Sequence, residues 1–346
     1  MAEQKALILE TLEAEFRVGQ TSIPKPRPGE LLVKIHATAL NPSDWKRREF
    51  SVLVPPFPAI FGVDAAGTVE ALGEGVQGFE KGDRVAYEGN VSSSDKATFQ
   101  QYGTVPAELA AKLPDNIPFD EAASIPVGIA TAAVGLYGDR PAGVQKYTPC
   151  WEEGGEGLYR GNPIVVFGGS SSVGQYVIQL AKLSGFSPII ATASLPNSDF
   201  LESLGANHVI DRKADVPTKV KEILGDTPVE LVYDAISEKD TQQQAWAVLA
   251  PGGTLVLVAV NGAHVEKDKG KTVIDTVFAV LQTPELRQFG AGLQSKLTRL
   301  LETGKIKPNR VELLPGGLAG IPDGLKRLKE NRVSGVKLIA RPFETA

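Results

Sequence analysis

The sequence predicts an α/β protein of two domains, one β-rich and the other a doubly wound parallel sheet. Three observations carry that expectation. The first 125 residues read as short strands broken by strong turn formers. From residue 163 onward, short apolar strands alternate with helices, the pattern of a parallel sheet covered on both faces. The chain has 346 residues, 42% of them apolar, which is more than one ordinary core takes.

Along the first module, Ala6 to Leu9, Leu31 to Ala37 and Gly67 to Leu72 are the expected strands. Pro24 to Gly29, Pro55 to Pro58 and Gly73 to Gly75 separate them. Asp120 to Tyr137 reads as an Ala-rich helix, and residues 138–161, with Pro141, Pro149 and four glycines, as a loop or excursion. Pro163 to Phe167 is then a buried strand and Val173 to Ser184 a helix stopped by Gly185. Ile189 to Thr192 is a strand and Asp199 to Leu204 a helix stopped by Gly205. His208 to Ile210, Leu231 to Asp234 and Thr254 to Val258 continue the series. A helix from about Glu285 to Thr303, another near Leu325 and a strand from Gly335 to Ile339 complete the chain.

Composition narrows the function. Thirty-six Lys and Arg against 41 Asp and Glu give a net charge of −5, which argues against a broad nucleic-acid or membrane-binding footprint. A single cysteine, Cys150, rules out an intramolecular disulfide and a multi-cysteine zinc site. His36, His208 and His264 lie far apart and form no metal-ligand pair. The start, MAEQKALILE, is not a basic leader with a long apolar stretch, and no run of about 18 apolar residues occurs, so a soluble, cytoplasmic protein is expected.

Phe167-Gly168-Gly169-Ser170-Ser171-Ser172-Val173-Gly174 follows a strand and opens a helix. Small residues there let the backbone of Ser171, Ser172, Val173 and Gly174 approach a pyrophosphate, whose charge meets free N–H groups and the helix dipole. The motif departs from G-x-G-x-x-G because Ser171 stands at the middle glycine, and a tight turn without a ligand is the alternative. An NAD site usually puts an acid at the end of the next strand. Here that strand ends Ala193-Ser194-Leu195-Pro196-Asn197, and no acid appears before Asp199. Ser194 and Asn197 leave room for a 2′-phosphate, with Arg212 as counter-charge. NADPH is therefore the expected cofactor; Ser194 also reads as a helix cap and Arg212 as a solvated surface residue. Val258 to Val260 end a strand on the sheet's carboxyl edge, where a ligand at the switch point would lie.

Further motifs run in one order along nearly the whole chain. They are Ala39 to Lys46 (ALNPSDWK), Phe61 to Val69 (FGVDAAGTV), Lys81 to Val85 (KGDRV), and Ala122 to Pro126 (AASIP) with Thr131-Ala132. Leu201 to Ala206 (LESLGA) and Val333 to Leu338 (VSGVKL) complete them. In these motifs and the phosphate turn the chain resembles the medium-chain dehydrogenase/reductase superfamily. Within it, the closer likeness is to the zinc-free quinone oxidoreductases and the fungal trans-acting enoyl reductases. The resemblance implies a GroES-like catalytic domain, residues 1–125, completed by 276–346, with a Rossmann NADP-binding domain, 126–275, inserted between and a shared cleft for cofactor and substrate. The departures are informative. Zinc alcohol dehydrogenases carry cysteine where this chain has Asn41 and histidine where it has Val63, so no metal is expected. The acid of their Gly-His-Glu pattern survives as Asp64, read as packing or hydrogen bonding.

By the same resemblance, Ser43, Asp44, Trp45 and Lys46 contact NADPH, as do Ser334 and Gly335. Asp44 also reads as a loop cap, Trp45 as core and Lys46 as a solvated lysine. Val127, Gly128, Thr131 and Val134 resemble the segment lining the substrate cleft, with an Ala-rich core helix as the alternative. Lys46 and Thr131 are the candidate catalytic donors, and Cys150 is given no role. The expected activity is NADPH-dependent reduction of an activated C=C bond or a quinone without zinc. The rivals are a zinc-independent alcohol or carbonyl dehydrogenase and a weakly active NADPH-binding or partner-binding protein. A small-molecule substrate and a monomer or homodimer are expected; the sequence names no synthase partner.

Overall fold

Four consecutive buried apolar residues, Ala6-Leu7-Ile8-Leu9, lie in the first of a long series of strands, β1 (Glu3–Leu9). After it come β2 (Arg17–Ser22), β3 (Glu30–Ala39), α1 (Pro42–Phe50), β4 (Ala59–Ile60), β5 (Asp64–Leu72), β6 (Arg84–Glu88), β7 (Tyr102–Pro106), β8 (Ala110–Lys112) and α2 (Phe119–Ala122). Then follow α3 (Pro126–Tyr137), β9 (Ile164–Phe167), α4 (Ser172–Ser184), β10 (Ile189–Ala193), α5 (Ser198–Leu204), β11 (His208–Asp211), α6 (Val216–Leu224), β12 (Leu231–Asp234), α7 (Lys239–Val248), β13 (Thr254–Leu257) and β14 (Thr272–Ile274). The chain closes with α8 (Pro284–Glu302), β15 (Val311–Leu313), α9 (Ile321–Lys329) and β16 (Lys337–Ala340). This computed structural model describes residues 2–90, 92–139, 141–258, 262–266 and 270–346. Two units emerge: Met1–Val127 with Val280–Gly304 and Pro308–Ala346, and Gly128–Ala279 with Lys305–Lys307.

In the first unit, β2-β1-β4 make a small sheet, and a larger one runs β15-β16-β3-β5-β6-β8 with β7 added on β3. Leu7, Leu9, Leu40, Phe61, Phe99, Ile321 and Leu325 pack together as its core. The registers set one corner of that sheet. Asp64 on β5 pairs with Ala39 on β3 and with Glu88 on β6, while Ile339 on β16 pairs with Ala39 from the other side. Several of these strands were not legible in the sequence. β2 is a polar edge strand, and β7, Tyr102-Gly103-Thr104-Val105-Pro106, contains two residues that normally break strands. Asn41 to Lys46 form the start of α1: Asn41 is its N-cap, Pro42 its first residue, and Asn41 and Asp44 form a capping box.

The second unit is a six-stranded parallel sheet in the order β11-β10-β9-β12-β13-β14. Strand order reverses beside β9, between β10 and β12, which is the switch point of a doubly wound fold. Val165, Phe167, Ile190, Val232, Leu255 and Leu257 form its core. The single helix expected from Asp120 to Tyr137 is broken into α2 and α3, because Pro126 lacks an N–H and disfavours a helical Ile125 before it. Residues 119–137 are long and apolar enough to cross a membrane, yet 72% of that stretch is buried inside the protein, as in a core helix. The excursion at 138–161 contains turns rather than helix or strand among its described residues. It is anchored by aromatic contacts: Tyr147 meets Tyr159 at 4.8 Å and Phe186 at 5.2 Å, and Trp151 meets Tyr137 at 5.2 Å, all edge-on.

Candidate active site

β9 ends at Phe167 and the chain turns at once into α4. Gly168 makes that turn with φ +71°, and a Cβ there would also lie 2.4 Å from Ile236 Cγ1. At Gly174 a Cβ would sit 2.3 Å from the Gly168 carbonyl oxygen, so the helix packs on the turn only because no side chain intervenes. Ser171 caps α4, its hydroxyl oxygen accepting the Gly174 N–H at 3.0 Å. Thr192, at the end of β10, steadies the turn from the side. Its hydroxyl oxygen accepts the Gly168 N–H at 3.1 Å and its carbonyl the Gly169 N–H at 2.9 Å. Half-exposed Ser171, Ser172 and Val173 therefore stand on a close-packed backbone turn at the positive end of a 13-residue helix. Such a cradle fits a dinucleotide pyrophosphate.

The neighbouring strand ends meet at the same edge. The Arg212 N–H donates to the Ala193 carbonyl at 2.9 Å, which sets exposed Arg212 beside half-exposed Ser194. Asn197 is buried, its N–H bonded to the Ser194 carbonyl at 2.9 Å. The Val258 N–H donates to Ser237 Oγ at 2.9 Å; Val260 lies outside the described residues. Burial pushes the Asp234 carboxyl up, although the Ser237 and Ile236 N–H groups and the Thr241 hydroxyl all donate to it. Gly128 on α3 comes against this region: a Cβ there would lie 2.9 Å from Ser172 Oγ. The Thr131 carbonyl accepts the Tyr233 hydroxyl at 2.8 Å. Val134, further along α3, is fully buried.

In the β-rich unit, half-exposed Ser43 and Lys46 stand on α1, with Lys46 Nζ 5.7 Å from the Trp45 ring centroid. Trp45 packs partly into the core, and Asp44 takes part in the cap of α1. Its side chain is fully buried and Oδ2 accepts the Asn41 N–H at 2.8 Å. Burial raises the Asp44 carboxyl to about 6, against the pull of the Arg47 guanidinium. Ser334 is exposed and Gly335 buried in the turn leading into β16.

Sequence reasoning missed the residue at the centre of this unit's polar cluster. Continuing the β3–β16 pairing, Lys337 reaches Asn41: Nζ donates to Asn41 Oδ1 at 2.6 Å and lies 3.0 Å from Asp64 Oδ2. Asn41 Nδ2 closes the ring on Asp64 Oδ2 at 2.8 Å. All three are buried. An ionisable residue in the otherwise apolar run Lys337-Leu338-Ile339-Ala340 was the available signal. These residues do not fit zinc. Asn41 offers an amide, Val63 an alkyl group, and the Asp64 carboxylate is already held by an ammonium. Among the described residues, no group of three or more His, Cys, Asp or Glu is placed to hold a metal.

Glu88, opposite Asp64, is buried, and its Oε2 has no hydrogen-bond partner among the described residues. Burial first, and the Asp64 charge second, push its carboxyl well above the usual carboxylate range. Unfolded, the group loses its proton near 4.5; folded, it keeps it. Its contribution to stability is therefore intact below about pH 4.5 and is lost as pH rises toward the folded value. Glu88→Gln, which cannot titrate, should match the wild type in urea midpoint at acidic pH and exceed it at neutral pH. Identical midpoints at both would contradict a buried neutral acid. Cys150 is also buried, which raises its thiol to about 11 and leaves it unreactive.

Residues 27–115 match the family model described as alcohol dehydrogenase GroES-like domain, and 172–302 that described as zinc-binding dehydrogenase. The trans-enoyl reductase ACTTS2 of Alternaria alternata is 33% identical, covering 98% of this chain and 99% of its own. The trans-enoyl reductase resD of Aspergillus sclerotiorum is 35% identical over 92% and 94%. Among solved structures, a quinone oxidoreductase of Pseudomonas syringae is 25% identical, with a TM-score of 0.76 over 97% of this chain and 99% of that one. The β-rich unit is thus GroES-like and the parallel-sheet unit Rossmann-type, a domain that implies a nicotinamide cofactor. The chain belongs to the medium-chain dehydrogenase/reductase superfamily of oxidoreductases, in its trans-enoyl reductase-like branch.

Proposed function

We propose that this chain is a zinc-independent, NADPH-dependent reductase of small molecules that bear an activated C=C bond or a quinone. In this reading residues 1–125 and 276–346 are the catalytic domain and 126–275 the cofactor domain of a cytoplasmic monomer or homodimer. The observation that carries it is the ring of Asn41, Asp64 and Lys337, in which Asn41, standing where zinc relatives carry a cysteine, is held by an ammonium and a carboxylate. Alcohol oxidation needs a Lewis acid or a strong base to take the hydroxyl proton, and this ring offers neither. A conjugated acceptor avoids that burden, because its carbonyl spreads the incoming charge onto oxygen.

When bound, the reduced nicotinamide supplies the hydride. The chain's part is to hold the dinucleotide on Ser171 to Gly174, receive its 2′-phosphate near Ser194 and Arg212, and stabilise the developing enolate. Lys46 and the Thr131 hydroxyl are the assigned donors; losing one such donor can cost roughly 10²-fold in rate. Lys46→Ala should therefore lower kcat more than it weakens NADPH binding. The names of the full-length relatives support C=C reduction, and that of the solved structure supports a quinone. NADPH oxidation over a panel of an enone, a simple quinone, an aldehyde and, in reverse, a secondary alcohol with NADP tests the assignment. Turnover confined to the enone and quinone supports it. Turnover confined to the alcohol and aldehyde overturns it.

A further inference from the structure

Asp64 opens β5 with a fully buried side chain whose two oxygens serve different elements. Oδ1 accepts the Val127 N–H at 2.7 Å, in the first turn of α3, the helix along which Gly128 and Thr131 follow. Oδ2 accepts Asn41 Nδ2 at 2.8 Å, at the N-cap of α1, the helix of Ser43 and Lys46. The same oxygen meets Lys337 Nζ, and Nζ reaches Asn41 Oδ1. One carboxylate thus ties down the starts of both helices that carry the candidate donors. Free N–H groups at a helix start need such partners, and a negative charge is favoured there.

We propose that Asp64 is a positioning residue for the reduction, anchoring the first turns of α1 and α3, with Lys337 as its fixed counter-charge. The proposal depends on the reductase reading only for its kinetic consequence. Without the anchor both first turns loosen, and a donor displaced by about 1 Å can cost on the order of 10²-fold in rate. In this reading most cofactor affinity comes from the α4 turn and from the edge of Ser194 and Arg212, neither of which Asp64 touches, so it should largely survive.

The test is the double variant Asp64→Leu/Lys337→Met, which removes both charges while filling similar volume, a replacement that buried pairs often tolerate. Segment-resolved hydrogen exchange should quicken at least about tenfold in residues 42–50 and 126–134, with the rest unchanged. The kcat for the panel's best substrate should fall by about 10- to 100-fold, while the NADPH Kd stays within about twofold. Unchanged exchange in both segments, or unchanged kcat, would overturn the proposal. Should the double variant not fold, Asp64→Asn replaces it, because its amide oxygen can still accept the Val127 N–H. It should loosen 42–50 and spare 126–134, and the reverse pattern would contradict the anchor. If the wild type reduces nothing on the panel, the reductase reading fails while exchange still decides the anchor.

Discussion

Lys337→Met alone should lower the unfolding free energy by about 3–5 kcal/mol, because it strands the Asp64 carboxylate where no solvent reaches it. Among the described residues, the Asn41 amide and the Val127 N–H would still donate to that carboxylate. Lys81 and Glu70 form a useful control pair. They are 67% and 37% exposed at the side chain, and the loss of such a surface pair costs about 0–1 kcal/mol. Urea midpoints of Lys337→Met and Lys81→Met, measured at neutral pH, should differ widely. Adding Asp64→Leu to Lys337→Met should recover most of the lost stability, since no unpaired charge remains. Equal small losses in the two lysine variants would contradict a buried ion pair.

Arg212→Ala should weaken NADPH by about 1–3 kcal/mol, or roughly 5- to 150-fold, and leave NADH nearly unchanged. The reason is local. Arg212 and Ser194 are brought to one sheet edge by the bond from the Arg212 N–H to the Ala193 carbonyl. The acid beside them, Asp211, has an oxygen turned back onto the Lys213 N–H at 3.0 Å, leaving Arg212 exposed at that edge. Titration of nicotinamide fluorescence with both cofactors measures the effect. Equal affinities of the unmutated protein for NADPH and NADH would contradict the assignment of this edge.

The parallel-sheet unit was the more legible half. Runs such as Ile164-Val165-Val166-Phe167 are buried on both faces and show continuous apolar character, and Gly185 and Gly205 mark their helix ends. The phosphate turn stood out because its small residues are required by close packing, not by periodicity. The β-rich unit was read less well. Its strands are short, and β7 and β2 carry residues that local propensity assigns elsewhere. The capping box at Asn41 and Asp44, with Pro42 at the first helical position, is present in the sequence as a helix-start signal. The polar ring was only half visible. Asn41, Val63 and Asp64 could be marked as departures from a zinc site, but Lys337 lies almost 300 positions from Asn41 and meets it only through strand pairing. On an all-apolar helix such as α3, helical spacing does not tell which face meets a ligand.

Hydride transfer to a conjugated acceptor should proceed in this protein without a metal. The most direct measurement is the rate of NADPH oxidation by chelator-treated, zinc-depleted protein with an enone as acceptor, compared with the same protein given one equivalent of zinc. The depleted protein should be fully active and gain nothing on addition of zinc. Activity lost on chelation and restored by stoichiometric zinc would contradict it.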